Sequence, residues 1–343
     1  MSKLTHGIRS VKIENFRCID KLELDFTDPQ GHPSDIIVIG GPNGSGKTAV
    51  LEACYSLVQG WNPKIPEGDS EAAARRLGIE SVRKGTRHYA ISLSLASPTQ
   101  TVELFYENIF PFEAIRLPTI PDDSRICAYY ISSRRVQELV GSLSVSLGSK
   151  DNNENANPIL NSLENQRLHS IKQTLLDTKT FESMGGVINS NFLQYDQIIA
   201  PLNEMWSAFY PNSKQSFSTE PVSKNPNRGF DVFLVDRVGS RVPIDLLSAG
   251  QLELFTLFGT LILLRHDPAI IFIDEPELHL DPQWHSILLG ELRRFLPQAQ
   301  FIVATHSPQI YDSVYTYQRH FLVPENDPRA QMWKATEKVL VSA

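Results

Sequence analysis

Three uninterrupted apolar runs organise the chain. They are "SDIIVIGG" (Ser34 to Gly41), "AIIFIDEP" (Ala269 to Pro276) and "QFIVATHSP" (Gln300 to Pro308). Runs of this length, closed by turn residues, predict strands buried on both faces, as in a parallel sheet. Helical spacing follows the first in "TAVLEACYSLVQ" and the second in "DPQWHSILLGELRRFL". Elsewhere the period is shorter. "IRSVKIENF", "KLELDF", "HYAISLSLA", "TVELFYE" and "RICAYYIS" predict strands, with alternation in places.

The pattern breaks near residue 141. "GSLSVSLGSKDNNENANP" is rich in Ser, Asn and Gly and predicts a loop. Helical spacing holds from Ile159 to Phe209, and "YPNSKQSFSTEPVSKNPNRG" predicts a second loop. "FDVFLVD" predicts a strand, and "LLSAGQLELF" (Leu246 to Phe255) opens an apolar helix. The order is α/β at both ends with a helical insert between. The expected division is 1–145, 146–225 and 226–343.

Composition changes this picture little. The chain has 343 residues, is 41% hydrophobic and 21% charged, and carries a net charge of −7. That is a globular profile with no overall field toward nucleic acid. The longest apolar run, "FTLFGTLILL", is far short of the roughly 20 residues a membrane helix needs. No apolar leader opens the sequence, so a cytoplasmic protein with no membrane association is expected. Cys18, Cys54 and Cys127 are few and scattered, and are expected to be reduced core residues. Arg75, Arg76, Arg83, Lys84 and Arg87 could meet a phosphate backbone, but a solvated charged helix is the stronger expectation. Arg167, Lys172 and Lys179 in the insert are expected to be partly exposed.

Candidate chemistry concentrates at the ends of the buried runs. Gly41-Pro42-Asn43-Gly44-Ser45-Gly46-Lys47-Thr48 fits the phosphate-loop pattern, with a strand before it and a helix after. In such a loop the backbone wraps phosphates at a helix N-terminus. Lys47 would reach the β- and γ-phosphates and Thr48 would bind Mg²⁺. Asp274 and Glu275 close the second run. Strand alternation is expected to point them apart, Asp274 to the Mg²⁺ shell and Glu275 to an attacking water. Ser248 and Gln251 fit a capping box, S/T-x-x-E/Q.

Taken together, these pieces resemble the ABC-type ATPase heads of the SMC, RecF and OLD group, including the stand-alone ATPases of bacterial anti-phage defence. "IENFRCID" resembles the group's N-terminal strand and turn, and "GPNGSGKTAVLEA" its Walker A. "LSAGQ" resembles its signature, "IIFIDEPELHLDPQWH" its Walker B and D-loop, and "VATHSPQI" its switch-histidine strand. The resemblance implies a P-loop NTPase head with an N-terminal β-subdomain and an inserted helical subdomain. It implies ATP sandwiched between two heads, in a homodimer or higher homo-oligomer. Glu275 would be the catalytic base, His306 would contact the γ-phosphate side, and Asp281 would be the D-loop residue. Ser248, Gly250 and Gln251 would complete the opposite subunit's ATP site. Arg17 either touches nucleotide or makes a surface ion pair, and His279 matches no catalytic position. Arg134, Arg135 and Gln137 are candidates for the Q-loop, with surface charge the alternative.

Other features of the group are missing. The insert lacks the heptads of SMC arms. The stretch after His306 is too short for the Toprim nuclease domain that many OLD proteins carry. The leading expectation is therefore an ATP-hydrolysing protein that dimerises around ATP and controls a nuclease or toxin supplied in trans, in anti-phage defence. The alternative is a RecF-like DNA repair ATPase acting as an ATP-dependent DNA clamp. A transporter ATPase fits the "PELHLDP" stretch poorly.

Overall fold

The computed structural model describes residues 4–60, 83–97, 100–109, 112–116, 127–132, 167–184, 193–222, 229–264, 269–324 and 339–342. The chain divides into two compact units. The first comprises Met1–Arg134, Asp267–Glu277 and His285–Ala343, and the second Arg135–His266 and Leu278–Trp284. The helix opened by "LLSAGQ" falls in the second unit, whereas the sequence division at 225 groups it with the C-terminal stretch.

In the first unit, β1 (Gly7–Phe16), β2 (Ile19–Asp25), β4 (His88–Ala96), β5 (Thr101–Ile109) and β6 (Phe112–Arg116) form an antiparallel sheet ordered β2-β1-β4-β5-β6. A second sheet is parallel. It joins β3 (Ile36–Gly40), β7 (Cys127–Ser132), β11 (Ala269–Asp274), β12 (Gln300–Thr305), β13 (Arg319–Pro324) and β14 (Val339–Ser342) in the order β14-β13-β3-β12-β11-β7. The three apolar runs contain its adjacent strands β3, β12 and β11, and every residue of those strands is buried. Helix α1 (Lys47–Gly60) packs against both sheets. Ala49, Val50, Leu51, Ala53, Cys54, Leu57 and Val58 are all buried, so most of its circumference is covered.

Gln300 ties the two sheets together. It is fully buried at the start of β12. Its Oε1 accepts from Ile8 N at 2.7 Å, and its Nε2 donates to Ile8 O at 2.9 Å and Ser34 O at 3.0 Å. A side-chain amide inside an apolar core is tolerated because all three of these bonds are made.

The second unit is built on α2 (Arg167–Ser183), α3 (Tyr195–Phe209) and α4 (Ala249–Leu264), with a small antiparallel sheet of β8 (Ser216–Pro221), β9 (Phe230–Val235) and β10 (Arg241–Pro243). Strand β8 lies inside the stretch expected to be a loop. Its buried positions alternate, Phe217 and Thr219 inward, but the Pro, Ser and Asn around them hide the period. Asn203 of α3 fixes the strand, accepting from Phe217 N at 2.5 Å and donating to Phe217 O at 3.0 Å. Lys172 corrects a second expectation. It is buried rather than half-exposed, and pairs with Asp231 at 2.9 Å and with Asp245. Lys179 lies over the Tyr195 ring, 4.4 Å from its centroid, and the side chain of Arg167 lies outside the described residues.

Helix α5 (Pro282–Phe295) contains the division between the units, and α6 (Pro308–Asp312) is a single turn capped by Ser307. Among the described residues no helix is long and apolar enough to cross a membrane. Of the basic run, Arg75 and Arg76 lie outside the described residues. Arg83 to Arg87 form a turn rather than a helix, with Arg83 paired to Asp20.

Replacing Gln300 with Leu strands the Ile8 N–H and two carbonyls in the core. The expected loss is about 2–4 kcal/mol. In urea it reads as a lower midpoint with an unchanged slope, and an unchanged midpoint would contradict the tie.

Candidate functional site

The first unit's site forms where β3, β12 and β11 end together. The register sets Gly40 beside Thr305 and Ala304 beside Asp274. Carboxyl ends of parallel strands are where open α/β sheets bind ligands.

The loop from Gly41 to Gly46 leaves β3 and enters α1. Asn43 and Gly44 are exposed at its tip, while Ser45, Gly46 and Lys47 are buried. Gly41 cannot be replaced here. Its φ is +146°, and a Cβ would lie 2.3 Å from Leu322 O and 2.7 Å from Ser45 Oγ. Lys47 Nζ donates to the carbonyl oxygens of Gly41 at 2.9 Å and Pro42 at 3.0 Å. It also lies 3.4 Å from His306 Nδ1.

Thr48, one residue on, donates from Oγ1 to both carboxylate oxygens of Asp274 at 3.1 Å. Tyr130 of β7 donates to the same carboxylate at 3.4 Å. Sequence reasoning missed Tyr130, which carries no motif of its own.

Asp274 and Glu275 diverge, but not by strand alternation. Strand β11 ends at Asp274, and Glu275 has a φ of +54°, a left-handed conformation uncommon for a side chain with a Cβ. Strain of this kind collects at functional sites. Glu275 is 7% exposed, and its Oε1 lies 3.2 Å from His306 Nε2. The lysine ammonium can only donate, so this contact calls for Nδ1 of His306 as its acceptor, and Nε2 faces Glu275. Lys47, His306 and Glu275 therefore form one polar row beside the Thr48–Asp274 pair.

His306 follows β12, and its backbone is held by a residue with no assigned role. Glu277 Oε1 accepts from the His306 N–H, and from Ser307 N at 3.2 Å. Ser307 N also donates to Thr305 Oγ1 at 2.9 Å, and Ser307 Oγ lies 2.8 Å from His285 Nδ1.

Arg17 pairs with Glu52 and lies over the Phe16 ring, the ion-pair alternative for this residue. Cys18 corrects the expectation of a core thiol, for it is exposed. Cys54 is buried, and burial pushes its thiol pKa far up. Arg134, Arg135, Gln137 and the side chain of Cys127 lie outside the described residues.

The remaining candidates lie in the second unit. Ser248 and Gln251 do form a capping box, with Ser248 N donating to Gln251 Oε1 at 3.1 Å and Gln251 N to Ser248 Oγ at 3.4 Å. Ser248 and Ala249 are exposed at the N-terminus of α4. Gly250 is required sterically, since a Cβ there would lie 2.4 Å from His279 O. His279 itself has a φ of +68°. Asp281 accepts from Gln283 N at 3.0 Å. Tyr210 stacks on Trp206 with centroids 4.2 Å apart and meets Trp284 edge-on at 4.9 Å. Burial raises the Tyr210 pKa, the negative charge of Asp281 adds to it, and a hydrogen bond with Gln251 opposes it.

The family described as "AAA domain, putative AbiEii toxin, Type IV TA system" matches residues 36–312, from β3 through α6. The chain belongs to this family. As an AAA domain it is similar over 306 residues to Septu protein PtuA of Bacillus mycoides (strain KBAB4), at 22% identity, covering 88% of this chain and 38% of that protein. It is 30% identical over 126 residues to the Retron Vc95 probable ATPase of Vibrio cholerae serotype O1 biovar El Tor, covering 34% of this chain and 24% of that one. The chain thus spans well under half the length of these relatives. In fold it is similar to the SMC head domain from Thermotoga maritima, with a TM-score of 0.53 at 12% identity, covering 92% of this chain and 94% of that one. The Pyrococcus furiosus Smc head with an extended coiled coil aligns with a TM-score of 0.52 at 13% identity, covering 90% and 92%. The AAA domain therefore has the expected P-loop ATPase-head fold, a class built to bind nucleotide.

Gly250→Ala gives the packing at the start of α4 a direct test. Helix propensity alone would favour alanine by about 1 kcal/mol. The clash is with a backbone carbonyl rather than a yielding side chain, and overpacking of that kind costs about 1–3 kcal/mol. A lower Tm is expected, and a raised one would contradict the close approach.

Proposed function

We propose that this AAA domain binds ATP with Mg²⁺ and hydrolyses it, in a site completed by a second copy of the chain. The observation that carries the reading is the row Lys47–His306–Glu275 set beside the Thr48–Asp274 pair. Lys47 supplies the cation for the phosphates, exchanging its loop-carbonyl bonds for charge-assisted ones. The loop backbone and the N-terminus of α1 supply N–H donors.

The Thr48 hydroxyl and Asp274 carboxylate fit Mg²⁺, a hard ion that takes few protein oxygens and keeps water and phosphate as its other ligands. When bound, the ion neutralises charge on the phosphate oxygens. Glu275 accepts the proton of the attacking water, and its backbone conformation turns its carboxylate out of the β11 line. His306 orients that carboxylate through Nε2.

The second copy contributes Ser248, Gly250 and Gln251 at the N-terminus of α4, with Asp281 from the adjoining loop. What supports this is the exposure of Ser248 and Ala249 at a helix N-terminus, together with the head fold. Such a dimer would control a nuclease or toxin supplied in trans, in anti-phage defence. Support for that role comes from the family description, which names a toxin of a Type IV TA system, and from relatives named for Septu and retrons.

Glu275→Gln tests the site. It removes the base but leaves Lys47, Thr48 and Asp274 in place. ATP affinity is expected to hold while turnover falls by about 10²–10⁴-fold, and the ATP-bound protein should sediment as a dimer. Turnover near wild type would overturn the assignment.

A further inference from the structure

Glu277 has no place in the proposed chemistry, yet it grips the residue that does. It follows Glu275 by two positions, and its Oε1 accepts from the backbone N–H of His306, 29 residues away in sequence. The same oxygen accepts from Ser307 N at 3.2 Å. Its other oxygen, Oε2, is buried and has no hydrogen-bond partner among the described residues. One oxygen therefore anchors the carboxylate, and both of its bonds go to the turn that follows β12.

The other side of that turn is held separately. Ser307 Oγ accepts from Ile310 N at 3.3 Å and so caps α6. It also donates to Gln309 Oε1 at 3.0 Å and meets the buried His285 ring at 2.8 Å. Ser307 N has Thr305 Oγ1 as a second acceptor. The Ser307 side thus has several supports. Among the described residues, the His306 N–H has Glu277 alone.

We infer that Glu277 is the positioning residue for His306, a carboxylate clamp that sets the imidazole between Lys47 and Glu275. This rests on the proposal that His306 orients the hydrolytic carboxylate. A negative charge suits the task, because a carboxylate accepts two N–H bonds at one oxygen more strongly than a neutral acceptor does. The clamp acts on the backbone, so the imidazole keeps both ring nitrogens for Lys47 and Glu275.

Four variants separate this from a plain structural role: Glu277→Ala, Glu277→Gln, His306→Ala, and the double Glu277→Ala/His306→Ala. Glu277→Ala is expected to lower kcat for ATP about 100-fold, the scale of a displacement near 1 Å, with KM unchanged. Glu277→Gln keeps an acceptor at Oε1 and is expected to recover most of that loss. The double variant should be no slower than His306→Ala alone, because Glu277 acts through His306. Amide exchange followed by NMR provides a readout independent of activity. The His306 N–H should exchange about tenfold faster in Glu277→Ala but not in Glu277→Gln, and Ser307 N–H should change less.

If wild type hydrolyses ATP, His306→Ala is slow and Glu277→Ala runs at the wild-type rate, the clamp is overturned and the site assignment stands. A double variant slower than His306→Ala by the full Glu277→Ala factor also overturns it. If His306→Ala hydrolyses as wild type does while Glu277→Ala still exposes the His306 amide, the function assigned to His306 falls and the clamp on its backbone stands.

Discussion

The bond from Thr48 to Asp274 depends on one constraint, the parallel register of β3, β12 and β11. With Gly40 level with Thr305 and Ala304 level with Asp274, the three strands end on one line. A hydroxyl at the start of α1 and a carboxylate 226 residues later then meet at 3.1 Å. Shifting one strand by a residue would turn every buried side chain of that strand to the other face. Both faces of these strands are buried, so what resists such a slip is the close-packed fit of the side chains rather than a polar alternation. Packing thus fixes the chemistry to within a hydrogen bond, and Gln300 locks the neighbouring antiparallel sheet to the same frame.

In the second unit packing and capping fix the start of α4. Gly250 is small because the His279 carbonyl needs the space. Ser248 and Gln251 cap their own helix, which orders its N-terminus. Capping satisfies some of the free N–H groups there without removing the helix dipole. A helix start that is ordered, exposed and positive is what a neighbouring anion would need.

How much of this was legible in the sequence depended on how local each signal was. The loop from Gly41 to Thr48 and the buried run before Asp274 could be read because their chemistry and their local geometry are the same few residues. The capping box was legible for the same reason. Lys172 was not, since its partners Asp231 and Asp245 arrive 59 and 73 residues later and nothing near it announces burial. Strand β8 was hidden by the prolines and asparagines around a short alternating stretch. Nothing local to Glu277 announces a partner 29 residues on, and only the fold brings the amides of His306 and Ser307 to it. Cys18 read as core because cysteine usually is, whereas it sits in the exposed turn between β1 and β2.

The central claim is that an ATP site is assembled from two copies of the chain. The most direct measurement is ATPase activity in a mixture of two inactive variants, Lys47→Ala and Ser248→Arg. Each alone should be inactive, one lacking the phosphate cation and the other presenting a bulky signature face. In a mixed dimer one composite site carries both lesions and the other carries neither. The account predicts that mixing restores activity from that intact site. A mixture that stays inactive although the two variants co-assemble with ATP, or a Ser248→Arg protein that hydrolyses ATP as wild type does, would contradict it.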